Sequence, residues 1–259
     1  MFDFNAKEAK DICVEWIRNW FEKNGKGCNA VVGISGGKDS SVTAALCVEA
    51  LGKDRVIGVL MPNGHQSDIS DAFHLCNHLD IKYVYVNIEH CISELDDAFR
   101  MNNHSKNHLH FEVSEQTKIN LPPRIRMATL YAISQSINGR VACTDNLSEK
   151  FIGYSTRWGD DVGDFAPLRC FTSDEVVAVG EVLGIPDNLI HKAPADGLTG
   201  KTDEDNFGFT YKELNEFILT GMCENKEAEK KIWERYNKNL FKSLPISAPY
   251  LASNKKLLF

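Results

Sequence analysis

The chain has 259 residues, 43% of them apolar and 25% charged, with a formal net charge of −7. A chain of that length buries roughly 70–75% of its unfolded surface without staples. The acidic balance excludes a broad nucleic-acid or membrane-binding surface but leaves room for a local cationic pocket. Eight cysteines, at 13, 28, 47, 76, 91, 143, 170 and 223, stand singly with no C-x-x-C pair. That pattern favours free thiols in a reducing compartment over disulfides or zinc. No signal peptide or membrane-length apolar run is present, so a cytoplasmic enzyme is the default expectation.

In chain order, Ile12, Trp16, Ile17, Trp20 and Phe21 predict one face of a helix that ends near Gly25 and Gly27. A short apolar run at 28–34 predicts a strand, and Asp39–Leu51 a helix with Val42, Ala45 and Leu46 inward. Arg55–Leu60 reads as a buried strand, Asp68–Leu79 as a helix with an acidic first turn, and Tyr83–Asn87 as a strand. The segment 101–119 is polar and reads as a loop. A helix then restarts after Pro122-Pro123 and stops at Asn138-Gly139, because proline fits a first helical turn. Val141–Thr144 is a further strand, 151–168 a Gly- and Asp-rich functional loop, and helices follow near 173–183, 210–220 and 225–238. The stretch Ala193–Phe209 is the least regular. Alternating strands and helices predict one α/β domain over 1–259, with a mostly parallel Rossmann-like sheet and helices on both faces.

The most informative segment is Gly33-Ile34-Ser35-Gly36-Gly37-Lys38-Asp39-Ser40, a glycine-rich turn between a strand and a helix. Such a turn gathers backbone N–H groups at the positive end of a helix dipole and suits a phosphate or pyrophosphate. It is not a Walker A loop: Asp39 stands where Ser or Thr is needed, and Val32 where the first glycine is needed. Ser-Gly-Gly-x-Asp-Ser resembles instead the pyrophosphate loop of enzymes that split ATP into AMP and pyrophosphate. Asp39 would repel phosphate unless Mg²⁺ lies between them. A second acid at another strand end is offered by Glu149, after Thr144 and Asp145.

The stretch T-D-N-L-S-E-K-F-I-G-Y-S-T-R-W-G-D-D-V-G-D-F-A-P-L, from Thr144 to Leu168, resembles the signature of NAD synthetases. Asn120-Leu-Pro-Pro-Arg124-Ile-Arg126-Met127, Pro194-Ala195-Asp196-Gly197-Leu198 and Lys201 to Tyr211 resemble further segments of that family, in the same order. The resemblance, over about residues 5–245, implies an adenine nucleotide α-hydrolase-like fold and an ammonia-dependent ligase. Nicotinic acid adenine dinucleotide (deamido-NAD) would be adenylated by ATP, and ammonia would displace AMP to give NAD. Residues 33–40 and Thr144 would bind ATP, Asp39 and Glu149 would hold Mg²⁺, and Arg124, Arg157 and Asp164 would bind deamido-NAD. Homodimers are usual in the family, with no nucleic acid and no membrane involved. A glutaminase domain has no room within the matched length, which points to free ammonia.

Each assignment keeps a plainer alternative. Glu149 also suits a helix first turn opposite the dipole. Arg124 and Arg126 also suit solvated helix positions facing different sides. Arg157 also suits stacking on Trp158, and Asp160, Asp161 and Asp164 suit turn caps. His74 and His78 have helix spacing for a metal but no third ligand.

Three positions depart from the family: Ser173 replaces a lysine that approaches ATP, Ala195 replaces a hydroxyl residue in the ATP site, and Phe241-Lys242 stands for a His-Lys pair on the deamido-NAD side. Lys38 and Lys201 are candidate substitutes for the missing cation. The departures keep two alternatives open, another pyrophosphate-loop adenylating ligase and a weakened nucleotide-binding paralogue.

Overall fold

The computed structural model describes residues 4–101, 109, 111–192 and 202–247. The order is α1 (Ala6–Asn24), β1 (Asn29–Gly33), α2 (Lys38–Leu51), β2 (Val56–Leu60), α3 (Ile69–His78), β3 (Lys82–Tyr85) and α4 (Glu89–Met101). Then come α5 (Glu115–Ser136), β4 (Gly139–Val141), α6 (Leu147–Ile152), α7 (Ser173–Val182), α8 (Asp187–Ile190), α9 (Asp203–Phe207), α10 (Tyr211–Thr220) and α11 (Lys226–Ser243). The four strands form one sheet in the order β3-β2-β1-β4. Every pairing is parallel, with Val31 opposite Ile57 and Val141 and Val59 opposite Val84.

Alternation along the strands sorts the core onto two faces. Ala30, Val32, Val56 and Leu60 join α1, α2 and α7 through Ile17, Phe21, Leu46 and Val179. Val31 and Val59 face the other way, onto Ile125, Leu130 and Ile133 of α5. A third cluster, with Ile152, Leu214, Phe217 and Ile232, ties α6, α10 and α11 together. The chain runs outward from β1 through β2 to β3 and then crosses back to place β4 on the other side of β1. The switch point of the sheet therefore lies between β1 and β4, where open parallel sheets bind ligands.

Four expectations need correction. The buried face of α1 is Cys13, Val14, Ile17 and Phe21, whereas Ile12 is 62% and Trp16 43% exposed. The helix expected after the prolines begins upstream at Glu115, capped by Ser114, whose side chain accepts from the Thr117 N–H. Pro122 and Pro123 lie inside it, although they remove the N–H groups that would bond the carbonyls four residues back. Packing of Ile125, Leu130 and Ile133 on the sheet offsets that loss. Of the segment 101–119 expected as a loop, residues 102–108 and 110 lie outside the described residues and Glu115 onward is helical; α4, with no buried residue to mark its inner face, is an additional helix. The strand expected at 141–144 is shifted to 139–141, with Ala142 continuing as a single bridge to Phe165.

Among the described residues, no helix is long and apolar enough to cross a membrane.

Candidate active site

β1 delivers the glycine loop at its carboxyl end. Gly36 takes φ +83°, and a Cβ there would lie 2.8 Å from the Asp71 Cβ and 3.0 Å from the Ala72 nitrogen. Glycine is therefore required both for the left-handed backbone and for the approach of the loop to α3. The Ser40 hydroxyl donates to the Gly37 carbonyl (3.1 Å) and accepts from the Ser35 N–H (3.3 Å), and the Ser35 hydroxyl accepts from the Gly37 N–H (3.3 Å). These bonds hold the turn in shape. Gly37 begins α2 without a side-chain cap, so the first-turn N–H groups are not covered by a capping side chain and suit an anion. Ile34 is buried beneath the loop, and Gly33 closes the strand.

The second half of the site comes from the segment after β4. Asn146, fully buried, donates its side-chain amide to Asp39 Oδ1 at 2.9 Å. Its side-chain oxygen accepts from the Glu149 N–H (3.0 Å), and its own N–H donates to Glu149 Oε2 (3.2 Å). This reciprocal capping box starts α6 and fixes Glu149 beside Asp39. The plainer reading of Glu149 as a first-turn acid therefore holds. Burial, and next the Asp39 charge, push the Glu149 carboxyl well above its ordinary value.

Lys38, only 7% exposed, places Nζ 2.6 Å from Asp39 Oδ2 and 5.9 Å from the centre of the Tyr211 ring. Burial opposes its charge, but Asp39 and Glu149 outweigh burial and its pKa is raised. The Tyr211 hydroxyl donates to Asp203 Oδ2 (3.0 Å), and the Tyr154 hydroxyl donates to Asp203 Oδ1 (3.1 Å).

Ser173, at the family's lysine position, is buried at the start of α7. Its N–H donates to the Ser148 hydroxyl (3.0 Å), Ser148 donates to Asn215 (2.6 Å), and the Asn215 amide donates back to Ser173 Oγ (3.3 Å). A closed polar triad thus joins α6, α7 and α10 where the family resemblance implies a cation. Thr144 is half-buried between the strand end and Asp145. Ala195 and Lys201 lie outside the described residues.

Of the residues expected on the second substrate, Arg124, Arg157, Phe241 and Lys242 gather at the loop after α6. The Arg124 Nε donates to the Arg157 carbonyl at 3.3 Å, while Arg126, on another side of α5, donates to the Met61 carbonyl at 3.0 Å. The Arg157 guanidinium carbon lies 4.9 Å from the Trp158 ring centre and 5.3 Å from that of Phe241. Trp158 itself takes φ +62°, and its N–H is held by Asp161 Oδ1 at 3.1 Å. Arg157 Nε is buried with no hydrogen-bond partner among the described residues. Lys242 donates to the carbonyls of Gly153 (2.8 Å) and Ser155 (2.9 Å), pinning α11 to this loop. Asp160 holds the Thr156 N–H at 2.7 Å. Asp164 is set apart: its carboxylate accepts from the Val141 N–H at 2.7 Å and from Tyr131, whose hydroxyl pKa is pushed up to about 12, chiefly by burial.

Asn146, Asp203 and Tyr211 escaped the sequence reading as individual site residues. A signal existed for one of them: Asn146 stands three residues before Glu149, the spacing of a capping box.

The donor set fits a magnesium ion. Mg²⁺ takes one or two carboxylates and completes its shell with phosphate and water oxygens, and the charges of Asp39 and Glu149 repel each other. Among the described residues no group of three or more His, Cys, Asp or Glu gathers as a self-sufficient metal cage.

A parallel α/β sheet with an uncapped glycine loop and two carboxylates at its switch point defines a nucleotide-binding enzyme of the pyrophosphate-loop class. The profile described as NAD synthase matches residues 10–256, and the chain belongs to that family, a family of ATP-using ligases of NAD biosynthesis. It is 40% identical over 198 residues to the "NH(3)-dependent NAD(+) synthetase" of Thermococcus sibiricus, covering 76% of this chain and 73% of that protein. Among solved structures it resembles the NMN synthetase from Francisella tularensis (TM-score 0.85, 30% identity, 96% of this chain and 100% of that one). It also resembles the NH3-dependent NAD synthetase from Campylobacter jejuni (TM-score 0.71, 26% identity, 96% and 100%). The fold is the adenine nucleotide α-hydrolase-like one.

Proposed function

We propose that the protein amidates deamido-NAD with ammonia, consuming ATP and releasing AMP and pyrophosphate. The observation that carries this reading is the meeting of the glycine loop with the Asp39–Asn146–Glu149 arrangement at the switch point. It supports two roles at once, holding a leaving pyrophosphate and holding a divalent cation beside it. In the reading, N–H and hydroxyl groups of Ser35, Gly36, Gly37 and Ser40 bind the phosphates, and Thr144 contacts the nucleoside. Asp39 and Glu149 hold Mg²⁺, which when bound offsets charge on the departing pyrophosphate.

A nicotinate carboxylate oxygen attacks the α-phosphorus as the bond to pyrophosphate breaks. Ammonia then attacks the acyl carbon, AMP leaves with the electron pair, and the nitrogen loses a proton. Preorganised donors around the phosphates need little reorganisation during the first step. Arg124 and Arg157 offer positive charge to the anionic acceptor, with Phe241 and Trp158 holding the Arg157 guanidinium and Lys242 securing the loop that presents it. Asp164 braces that loop against β4.

Ammonia as donor is supported by the names of relatives whose length this chain largely covers. We further infer one domain, a homodimer and a cytoplasmic setting. Eight unpaired cysteines support the last of these. Incubation with MgATP, deamido-NAD and ammonium should yield NAD, AMP and pyrophosphate in equal amounts; ATP binding without AMP release would sink the enzyme reading.

A second reading has its own support, the TM-score of 0.85 to an NMN synthetase against 0.71 to an NAD synthetase. The same chemistry on the nicotinic acid mononucleotide would give NMN. Offering both acids in competition decides between them: a larger kcat/KM for the mononucleotide would replace deamido-NAD as the substrate.

A further inference from the structure

Lys38 is an unusual occupant of a metal site. Its side chain is almost wholly buried inside the loop that receives phosphate, and its ammonium sits 2.6 Å from one oxygen of Asp39. The other Asp39 oxygen is taken by the Asn146 amide, and Asn146 in turn fixes Glu149. The charges of Glu149 and Asp203 also act on Lys38, and Tyr211, which is bonded to Asp203, lies beside it. The cation nearest the two proposed metal ligands is therefore one of the chain's own.

Two half-buried carboxylates tied to one asparagine, Asp39 and Glu149, repel each other, and a cation between or beside them relieves that repulsion. The geometry points to Lys38 as a built-in counter-ion that holds the place of the divalent cation at Asp39 and Glu149 in the nucleotide-free protein, and that must leave when metal and nucleotide bind. The inference rests on the reading of Asp39 and Glu149 as metal ligands. Its consequence is order: a metal alone must displace an ion-paired ammonium and gains two carboxylates. A metal arriving with a triphosphate gains phosphate oxygens as well, and the displaced ammonium finds phosphate charge next to the loop. Metal binding without nucleotide is thereby suppressed, and the same movement supplies a cation to ATP where Ser173 supplies none.

The test is Mn²⁺ binding to the nucleotide-free protein, followed by the loss of the free-ion electron paramagnetic resonance signal. Wild type should bind weakly. Lys38→Met and Lys38→Gln should each bind at least tenfold more tightly, Lys38→Arg should behave as wild type, and adding Asp39→Asn to Lys38→Met should abolish the gain. In a thermal melt with EDTA the neutral variants should melt below wild type. Millimolar Mg²⁺ should restore them while leaving the wild-type midpoint unmoved, a readout that holds even if one variant folds poorly. Equal Mn²⁺ affinity in wild type and both neutral variants, still sensitive to Asp39→Asn, would overturn the counter-ion role and leave the metal reading standing. Binding insensitive to Asp39→Asn in every variant, with and without ATP, would overturn both.

Discussion

The two halves of the site are built by different means. On the phosphate side, most polar contacts join residues within a few positions of each other, as in the Ser35–Ser40 pair (|i−j| = 5), and one long-range bond, Asn146 to Asp39, closes the structure. On the acceptor side local turns such as Thr156–Asp160 are joined by several long-range contacts, among them Arg124 to the Arg157 carbonyl (33 positions) and Lys242 to the Gly153 carbonyl (89 positions). The first half rests on backbone geometry set by glycine and a strand end, the second on long cationic side chains that grip carbonyls and rings. In the proposed reading, ATP handling would therefore be fixed by the backbone, whereas acceptor choice would be adjustable by exchanging side chains such as Phe241.

The sharpest way to break the first half is Gly36→Ala. A left-handed alanine costs about 1–2 kcal/mol, and the contact with the α3 backbone adds to it. ATP affinity measured by calorimetry should fall by roughly a hundredfold, about 3 kcal/mol, with the far-ultraviolet dichroism unchanged. Beneath the same half, Asn215→Ala takes away the acceptor of the buried Ser148 hydroxyl, which then keeps only the Ser173 N–H, and the amide donor of the Ser173 hydroxyl. It should lower stability by about 2–3 kcal/mol in urea unfolding.

On the acceptor side, Arg157→Met should raise the acceptor KM about tenfold, roughly 1.4 kcal/mol of lost binding, with the ATP KM nearly unchanged. Equal effects on both would show that the two halves are not separable. Lys242→Met removes two charge-assisted bonds from a half-exposed position and should cost about 1–2 kcal/mol of stability.

The smallest effect concerns Asp145, between the halves. Its buried Oδ2 has no hydrogen-bond partner among the described residues, and burial, then the Asp160 charge, raise its pKa well above the usual 3.8. The folded state therefore holds this proton more tightly than the unfolded chain. The associated stability is fully present below pH 3.8 and is lost as pH rises through the folded pKa. Asp145→Asn should flatten that part of the stability profile, measured as melting temperature against pH.

The contrast also explains what could be read from residue order. The glycine loop, Asp39 and Glu149 were legible because a strand, a turn and a helix start are local events with their own chemistry. The exposure of Ile12 and Trp16 was not, because a helix with apolar residues on adjoining faces does not say which face meets the sheet. Nor was the passage of α5 through Pro122 and Pro123, since packing against β1 and β2 offsets two lost hydrogen bonds. Phe241 and Arg157 are 84 positions apart in the chain, and nothing in either neighbourhood shows that one stacks on the other.

By itself, then, the order of residues determined the alternating α/β architecture, the pyrophosphate loop and the family, since each depends on periodicity or on short contiguous motifs. The tertiary structure decided three things. It made Asn146 the link between the two acids, turned Ser173 into part of a buried triad with Ser148 and Asn215, and set the Lys38 ammonium beside the Tyr211 ring of α10. Each of these depends on how closely separate elements approach, and a buried charge or hydroxyl takes whichever partner that approach provides.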